Sequence, residues 1–245
     1  FYLENYTTHW CDPIIIFDQF YKAYIYDGYY LRALDITVDD PSNAELWKVY
    51  RKAYASPEIE SPAIDDEGNV ILLVYSGSQS YLECYGGADG TLIWSVIVVD
   101  GPAYDLMIGP SGRIFVRYKD DNQDYERLGA YGPDGSALWS AGSSDIDYIG
   151  IPRPPTYNAS GFVCGKGIVY VPTGGAYVAL TTQGTIERRS NPAAGYCSSG
   201  LIAGQGRFYS LSQGHLYAFN FDSFLMGRGG WPTEGGNSRR SGTKQ

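Results

Sequence analysis

"GPDGSALWS" (132–140) repeats the pattern of "GADGTLIWS" (87–95), with Gly132 standing 45 residues after Gly87. An Asp-Gly turn, an apolar pair, Trp and Ser recur in a chain that holds only 5 tryptophans. A fixed period of this size marks a chain built from one stacked unit, so the unit decides the fold.

Extending outward from the motif gives four strand-sized segments per unit. In 61–95 they are "SPAI", "VILLVYS", "SYLECY" and "TLIWS", the first two separated by the turn "DDEGN". The next copy runs "YDLMIGPSGRIFVRY" (104–118), "YERLGAY" (125–131), "GSALWS". Downstream, "GFVCGKGIVYV" (161–171) matches "GLIAGQGRFYS" (200–210) at an offset of 39 with three glycines aligned. "AYVAL" (176–180) matches "HLYAF" (215–219) at the same offset, and upstream "KAYIYDGYYLRALDI" (22–36) leads into "ELWKVY" (45–50). Small residues recur in the third segment, at Ala33, Cys84, Ala130, Ala179 and Ala218. Tryptophan recurs in the fourth at Trp47, Trp94 and Trp139, and Arg188 takes that place in the next copy.

The expected fold is all-β: a β-propeller of four-stranded blades, five of them visible, at roughly 12–52, 61–99, 104–142, 155–190 and 196–227. A four-stranded sheet cannot bury both its faces alone, so the units pack face to face around an axis. The small third-strand residue lets sheets approach, and the Trp fills the widening gap between them. Residues 1–227 form the propeller and 228–245 a Gly-rich basic tail with a Trp-Pro pair. The fifth copy lacks a clear fourth strand, which residues 1–10 or the tail after Trp231 would supply to close the ring.

Composition agrees. The chain of 245 residues carries 31 Gly, 23 Tyr and 13 Pro, favouring strands and tight turns over helices. The net charge of -9 is uneven: 24 acidic and 10 basic residues in 1–160, 3 acidic and 8 basic in 161–245. An acidic body excludes nucleic acid as the main partner, because phosphate binding needs Lys and Arg. No apolar run reaches bilayer-spanning length. The chain begins at Phe1, which reads as processing, and so as export, or as cropping.

"YYLRALDI…ELWKV", "GADGTLIWS" and "GPDGSALWS" resemble the "LYALDxxTGxxLWxx" repeat of PQQ-like (pyrroloquinoline-quinone-type) β-propellers. "GGWPTEGGNSRRSG" (229–242) is similar to a "WPxFxGNxxRTG" segment at the ends of many such bacterial chains. The resemblance covers nearly all of 13–242 and speaks for fold, since the repeat serves enzymes, assembly factors and surface proteins alike. Quinoprotein dehydrogenases of this kind use a longer ring, commonly eight blades, with an adjacent-cysteine disulfide, a calcium ion and a catalytic Asp. The chain has no Cys-Cys pair. The expectation is therefore no cofactor and no catalytic residues.

Other chemistry is thin. The 4 cysteines contain no CxxC pair and there are 2 histidines, which excludes a zinc site. A Ser-His-Asp site needs a His poised by a carboxylate; His9 lies near the start, in "TTHWCD", and His215 opens a third strand, where it faces a blade surface or the pore rather than serving as a base. "KDDNQD" (119–124) opens like a calcium loop but has Tyr125 where Gly belongs and reads as a hairpin tip, leaving no metal site. The candidate ligand or partner face is the set of blade connectors carrying Tyr54, Tyr104, Tyr148, Tyr157 and Tyr196, since Tyr gives large contact area at low entropic cost. Cys11 and Cys197 begin the first strands of blades one and five and are the candidate disulfide; Cys164–Cys197 is the other pairing, and Cys84 is expected as a buried free thiol. Arg228, Trp231, Arg239 and Arg240 are candidate assembly contacts, the basic end meeting the acidic body of a neighbour.

These readings give an extracytoplasmic, non-catalytic propeller that binds a protein partner or itself. A carbohydrate-binding propeller is the alternative, and a degenerate quinoprotein enzyme a weaker one.

Overall fold

The structure is a computed structural model and describes residues 14–18, 20–51, 62–119, 126–141, 162–163, 168–172, 177–189, 197–203, 207–212 and 215–220. Among them the only helical pieces are two 3-10 turns, Pro41–Asn43 and Pro110–Gly112. Everything else regular is strand.

Blade one holds β1 (Ile14–Phe17), β2 (Lys22–Tyr26), β3 (Tyr30–Asp35) and β4 (Glu45–Tyr50). Blade two holds β5 (Ala63–Ile64), β6 (Val70–Ser76), β7 (Gln79–Tyr85) and β8 (Leu92–Val99). Blade three holds β9 (Ala103–Ile108), β10 (Ile114–Lys119), β11 (Glu126–Tyr131) and β12 (Ala137–Ala141). Blade four holds β13 (Phe162–Val163), β14 (Val169–Pro172), β15 (Tyr177–Leu180) and β16 (Ile186–Arg189). Blade five has three described strands, β17 (Cys197–Ala203), β18 (Arg207–Ser212) and β19 (His215–Asn220). Within each sheet the strands lie in chain order, all neighbours antiparallel, as the repeat demands.

The register carries the repeat into three dimensions. Ala33, Cys84, Ala130 and Ala179 stand opposite Trp47, Trp94, Trp139 and Arg188 on the fourth strands. On their other side the same residues meet Tyr24, Ile71, Phe115 and Tyr170 of the second strands. One layer thus runs across each blade from a large side chain through a small one to the Trp. Just past that layer the ladder slips by one residue in all four blades, a β-bulge on the fourth strand.

Each layer faces the next blade. Tyr24, Leu31, Ala33 and Trp47 of blade one share a buried cluster with Ile71, Leu72 and Leu82 of blade two and Leu106 and Val116 of blade three. Phe115 and Ala130 of blade three share a second with Val169, Val178 and Leu180 of blade four, with Trp139 packed against it. Burying an aliphatic side chain of this size stabilises by about 1.5–3 kcal/mol, so these inter-blade clusters hold the array together.

The tryptophans also dock chemically. Trp47 Nε1 donates to the Gly87 carbonyl at 3.2 Å, Trp94 Nε1 to Pro133 at 3.1 Å and Trp139 Nε1 to Thr182 at 2.7 Å. Each acceptor lies in the third-to-fourth-strand turn of the following blade. The same turns place Gly90, Gly135 and Gly184 at φ of +72, +80 and +81. A Cβ on these glycines would stand 2.7, 2.8 and 2.8 Å from the indole of the preceding blade. The indole lies on bare backbone, and glycine is what leaves that backbone bare. The Asp-Gly turn and the Trp of the repeat are therefore two halves of one joint.

Candidate functional site

At the end of blade one, Arg51 leaves β4 and turns back over blade two. Its Nε lies 3.0 and 2.9 Å from Glu83 Oε1 and Oε2, and its Nη2 2.8 Å from Oε1. Glu83 sits in β7 with its side chain 4% exposed. Tyr85 Oη donates to Glu83 Oε2 at 2.7 Å and Ser95 Oγ to Oε1 at 3.3 Å. Tyr26 Oη donates to the Arg51 carbonyl at 3.0 Å, and the Arg51 guanidinium lies over the Tyr81 ring, 5.5 Å from its centroid, within cation-π range. Tyr81 Oη donates to Gln79 Oε1 at 2.8 Å, and Gln79 Nε2 to Asp100 at 2.6 Å.

The network joins blades one and two on the side where the second-to-third-strand and blade-to-blade connectors emerge. Burial, then Glu83, raises the Tyr85 phenol well above its ordinary value, and Glu83 in turn holds Arg51 firmly protonated. Both oxygens of Glu83 are occupied by donors, so the carboxylate acts as a clamp. A general base would need one of those lone pairs open to substrate.

A second polar joint sits at the opposite ends of the strands. Lys22 Nζ donates to the same Gly87 carbonyl that Trp47 uses, at 3.2 Å, and Arg113 Nη1 to the Thr182 carbonyl that Trp139 uses, at 2.9 Å. Asp18 accepts from Tyr24 Oη at 3.2 Å and from the amides of Phe20 and Lys22, closing the first hairpin. These groups serve the fold.

Exposed aliphatic side chains cluster on the outer rim. Leu46, Ile93 and Leu138 precede the three docking tryptophans, occupy the bulge, and are each about half exposed. On β8 they are joined by exposed Leu92 and Ile97, while Trp94, Val96 and Val98 pack back on the core. β8 ends its sheet, and no described strand pairs with its outward edge.

Of the sequence-derived candidates, Cys84 is a buried free thiol, as expected, with its pKa pushed up to about 12 by desolvation and by Asp65 and Glu67. Tyr104 lies in β9, its side chain outside the described set; Tyr54, Tyr148, Tyr157 and Tyr196 lie outside the described residues altogether. So do Cys11, Cys164, the Cys197 side chain, Arg228, Trp231, Arg239, Arg240 and both segments expected to complete blade five. β10 and β11 pair antiparallel, and residues 120–124 of "KDDNQD" between them lie outside the described residues; no metal-binding cluster occurs among the described residues. Sequence reasoning missed the Arg51–Glu83 clamp and the exposed rim. The rim had a signal in the aliphatic residue before each Trp.

No protein-family model and no curated protein matches the chain. Among solved structures it is similar to a protein of unknown function from Bacteroides caccae, at TM-score 0.53 and 14% identity over 86% of this chain and 80% of that one. It is also similar to the quinohemoprotein alcohol dehydrogenase of Comamonas testosteroni, at TM-score 0.54 and 12% identity over 87% of this chain and 43% of that one. BamB of Moraxella catarrhalis aligns at TM-score 0.44 and 14% identity, over 82% and 70%. The chain spans less than half of the dehydrogenase. At such identities the likeness is one of fold: the chain is a β-propeller.

Proposed function

We propose that this chain is a non-catalytic β-propeller acting outside the cytoplasm as a protein-interaction and assembly module. The observation that carries the reading is the outer rim: β8, 8 residues long and free of charge, has no strand on its outward edge among the described residues and carries exposed Leu92, Ile93 and Ile97. Such edges are templates for strand addition; natural sheets blunt them with charge, proline or β-bulges, and β8 has only its bulges at Ile93 and Val98. The clamp at blades one and two supports the non-catalytic part, because its carboxylate is already spent on Arg51, Tyr85 and Ser95. Export rests on the resemblance of the repeat. No helix among the described residues is long and apolar enough to cross a membrane.

A photo-crosslinking residue placed at Ile97, compared with one at Asp89, tests the reading in cells that make the protein. Discrete protein adducts from position 97 and none from 89 are expected. Equal labelling at both positions, or substrate turnover by the purified chain with a redox dye, would overturn it. Fractionation of the same cells tests the location.

A further inference from the structure

We propose that the corner of blade one built by Phe20, Tyr21, Ile36 and Val38 seats this chain's own basic tail, 228–245. Trp231 lies on those side chains and the tail's arginines face Asp35, Asp39 and Asp40. This surface is separate from the β8 rim, and its role does not depend on the rim's.

Blade one departs from the repeat at one end. The link from β3 to β4 takes nine residues, 36–44, where its counterparts take six, five and five, at 86–91, 132–136 and 181–185. Those counterparts hold no Leu, Ile, Val or aromatic residue, whereas the longer link displays Ile36 and Val38. Beside it the β1–β2 hairpin displays Phe20 and Tyr21, and Ile36 N donates to the Tyr21 carbonyl at 3.0 Å. The four side chains are 37% to 66% exposed, an apolar corner on a blade whose other large side chains are mostly buried. Tyr21 is held at φ +62, a conformation bulky residues rarely adopt, and such strain clusters where chains clamp ligands.

The same segment carries Asp35, Asp39 and Asp40. Hydrogen bonds from Thr37 hold the Asp35 carboxyl below the ordinary carboxylate range, and those from Ser42 do the same for Asp40. Lys22 stands across from Asp35 but directs its ammonium to the Gly87 carbonyl, leaving the segment acidic. The corner therefore suits an apolar group with cations beside it.

The joints between blades say which group that is. Asp35, Gly86, Gly132 and Thr181 donate their amides across their turns, to Ala44, Thr91, Ser136 and Thr185. Ile36 thus stands where Gly87, Pro133 and Thr182 stand, whose carbonyls receive Trp47, Trp94 and Trp139; no described indole reaches Ile36. Two tryptophans are left, Trp10 and Trp231. Trp231 follows Ala218 by 13 residues, within the 9 to 14 that separate Ala33 from Trp47, Cys84 from Trp94 and Ala130 from Trp139. It holds the Trp place of the fifth copy. Charge agrees: 228–245 carries Arg228, Arg239, Arg240 and Lys244 against Glu234, while residues 1–13 around Trp10 carry Glu4 and Asp12 and no Lys or Arg. The link 36–44 has no glycine, so the indole lies on side chains here rather than on bare backbone. Tethering through 221–230 gives the tail an effective concentration on the order of millimolar, which favours the chain's own tail over a second copy's.

Trypsin cleavage at Arg239 and Arg240, measured against the free peptide 228–245, tests the proposal. In the full chain the tail should be cut at least about tenfold more slowly than the peptide, whatever the protein concentration. Val38→Asp and Trp231→Ala should each remove most of that protection. Salt should erode it too, as the Debye length falls from about 10 Å at 0.1 M to about 3 Å at 1 M. Val38 lies in an exposed link, and a retained strand signal in circular dichroism confirms that its variant folds. A photo-crosslinking residue at position 38, mapped by mass spectrometry, should join the tail of the same chain. A tail cut as fast as the free peptide overturns the proposal, as does protection indifferent to both variants. Protection lost on dilution, with the adduct linking two chains, overturns it as well, since a second copy's tail is then the occupant.

Discussion

Gly135 has φ +80, and a Cβ there would stand 2.8 Å from Trp94, whereas Gly68 has φ +84 and nothing within 4 Å of the same position. The two glycines separate backbone strain from contact. Gly68→Ala should cost only the left-handed penalty, about 1–2 kcal/mol, while Gly135→Ala adds overpacking of about 1–3 kcal/mol. Urea midpoints of the two variants check this; equal losses would mean the indole gives way freely. The indole N–H can be weighed in the same manner. Trp47 is 8% exposed and its bond to Gly87 is buried, whereas the Trp94 bond to Pro133 is open to water. Trp47→Phe should therefore destabilise by about 1–3 kcal/mol and Trp94→Phe by less, because water can replace the lost donor only at Pro133. Cys84 offers a chemical readout. With its thiol pushed up to about 12, iodoacetamide at pH 8 should leave it unlabelled in the folded chain and label it in denaturant.

At the scale of strands and turns, local chemistry was legible and distant pairing was not. The Asp-Gly turns, the small third-strand residue and the Trp all act within one repeat or between neighbours, so their spacing displayed them. "SYLECY" gave no sign that its Glu would meet an Arg 32 positions earlier. Alternation marks a strand's two faces, and an acidic residue in it reads as solvent-facing until the other blade is in place. The rim was obscured for a related reason: "TLIWSVIVV" reads as a buried run, yet β8 is the outermost strand and shows much of that run to solvent. The clamp makes its own prediction. Glu83→Ala leaves Arg51 and Tyr85 facing a vacated buried site, which should cost about 3–5 kcal/mol. Arg51→Met combined with Glu83→Leu should cost clearly less than the two single losses added, since no charge is then stranded. Chemical denaturation of the four-member cycle measures the coupling. Strict additivity would show that the ion pair does not tie blade one to blade two.

For the whole molecule, the buried phenols and the thiol make stability a function of alkaline pH. Tyr131 is pushed up to about 12 by desolvation and by the nearby Tyr118, and Cys84 to about 12 by its burial. Tyr24 is raised too, by burial and by Asp18, and Tyr85 by burial and Glu83. In the unfolded chain these groups return to ordinary values of 10.0 for Tyr and 9.0 for Cys. A raised folded pKa means the native state holds its proton more tightly than the unfolded one. The stabilisation is complete below the unfolded value and is lost as pH climbs toward the folded one. The melting temperature should then stay level from pH 7 to about 8.5 and fall continuously between about 9 and 12, as unfolding releases protons from these side chains in several blades. The groups lie in the second and third strands of blades one to three, at the joints that bind blade to blade, so their loss should melt these blades as a unit. Calorimetry across that range, with tyrosinate absorbance followed in parallel, decides it. Coincident loss of structure and rise of tyrosinate is the expected result. A full tyrosine titration with the fold intact would show that the joints admit water, and that the inter-blade clusters do not shelter these phenols.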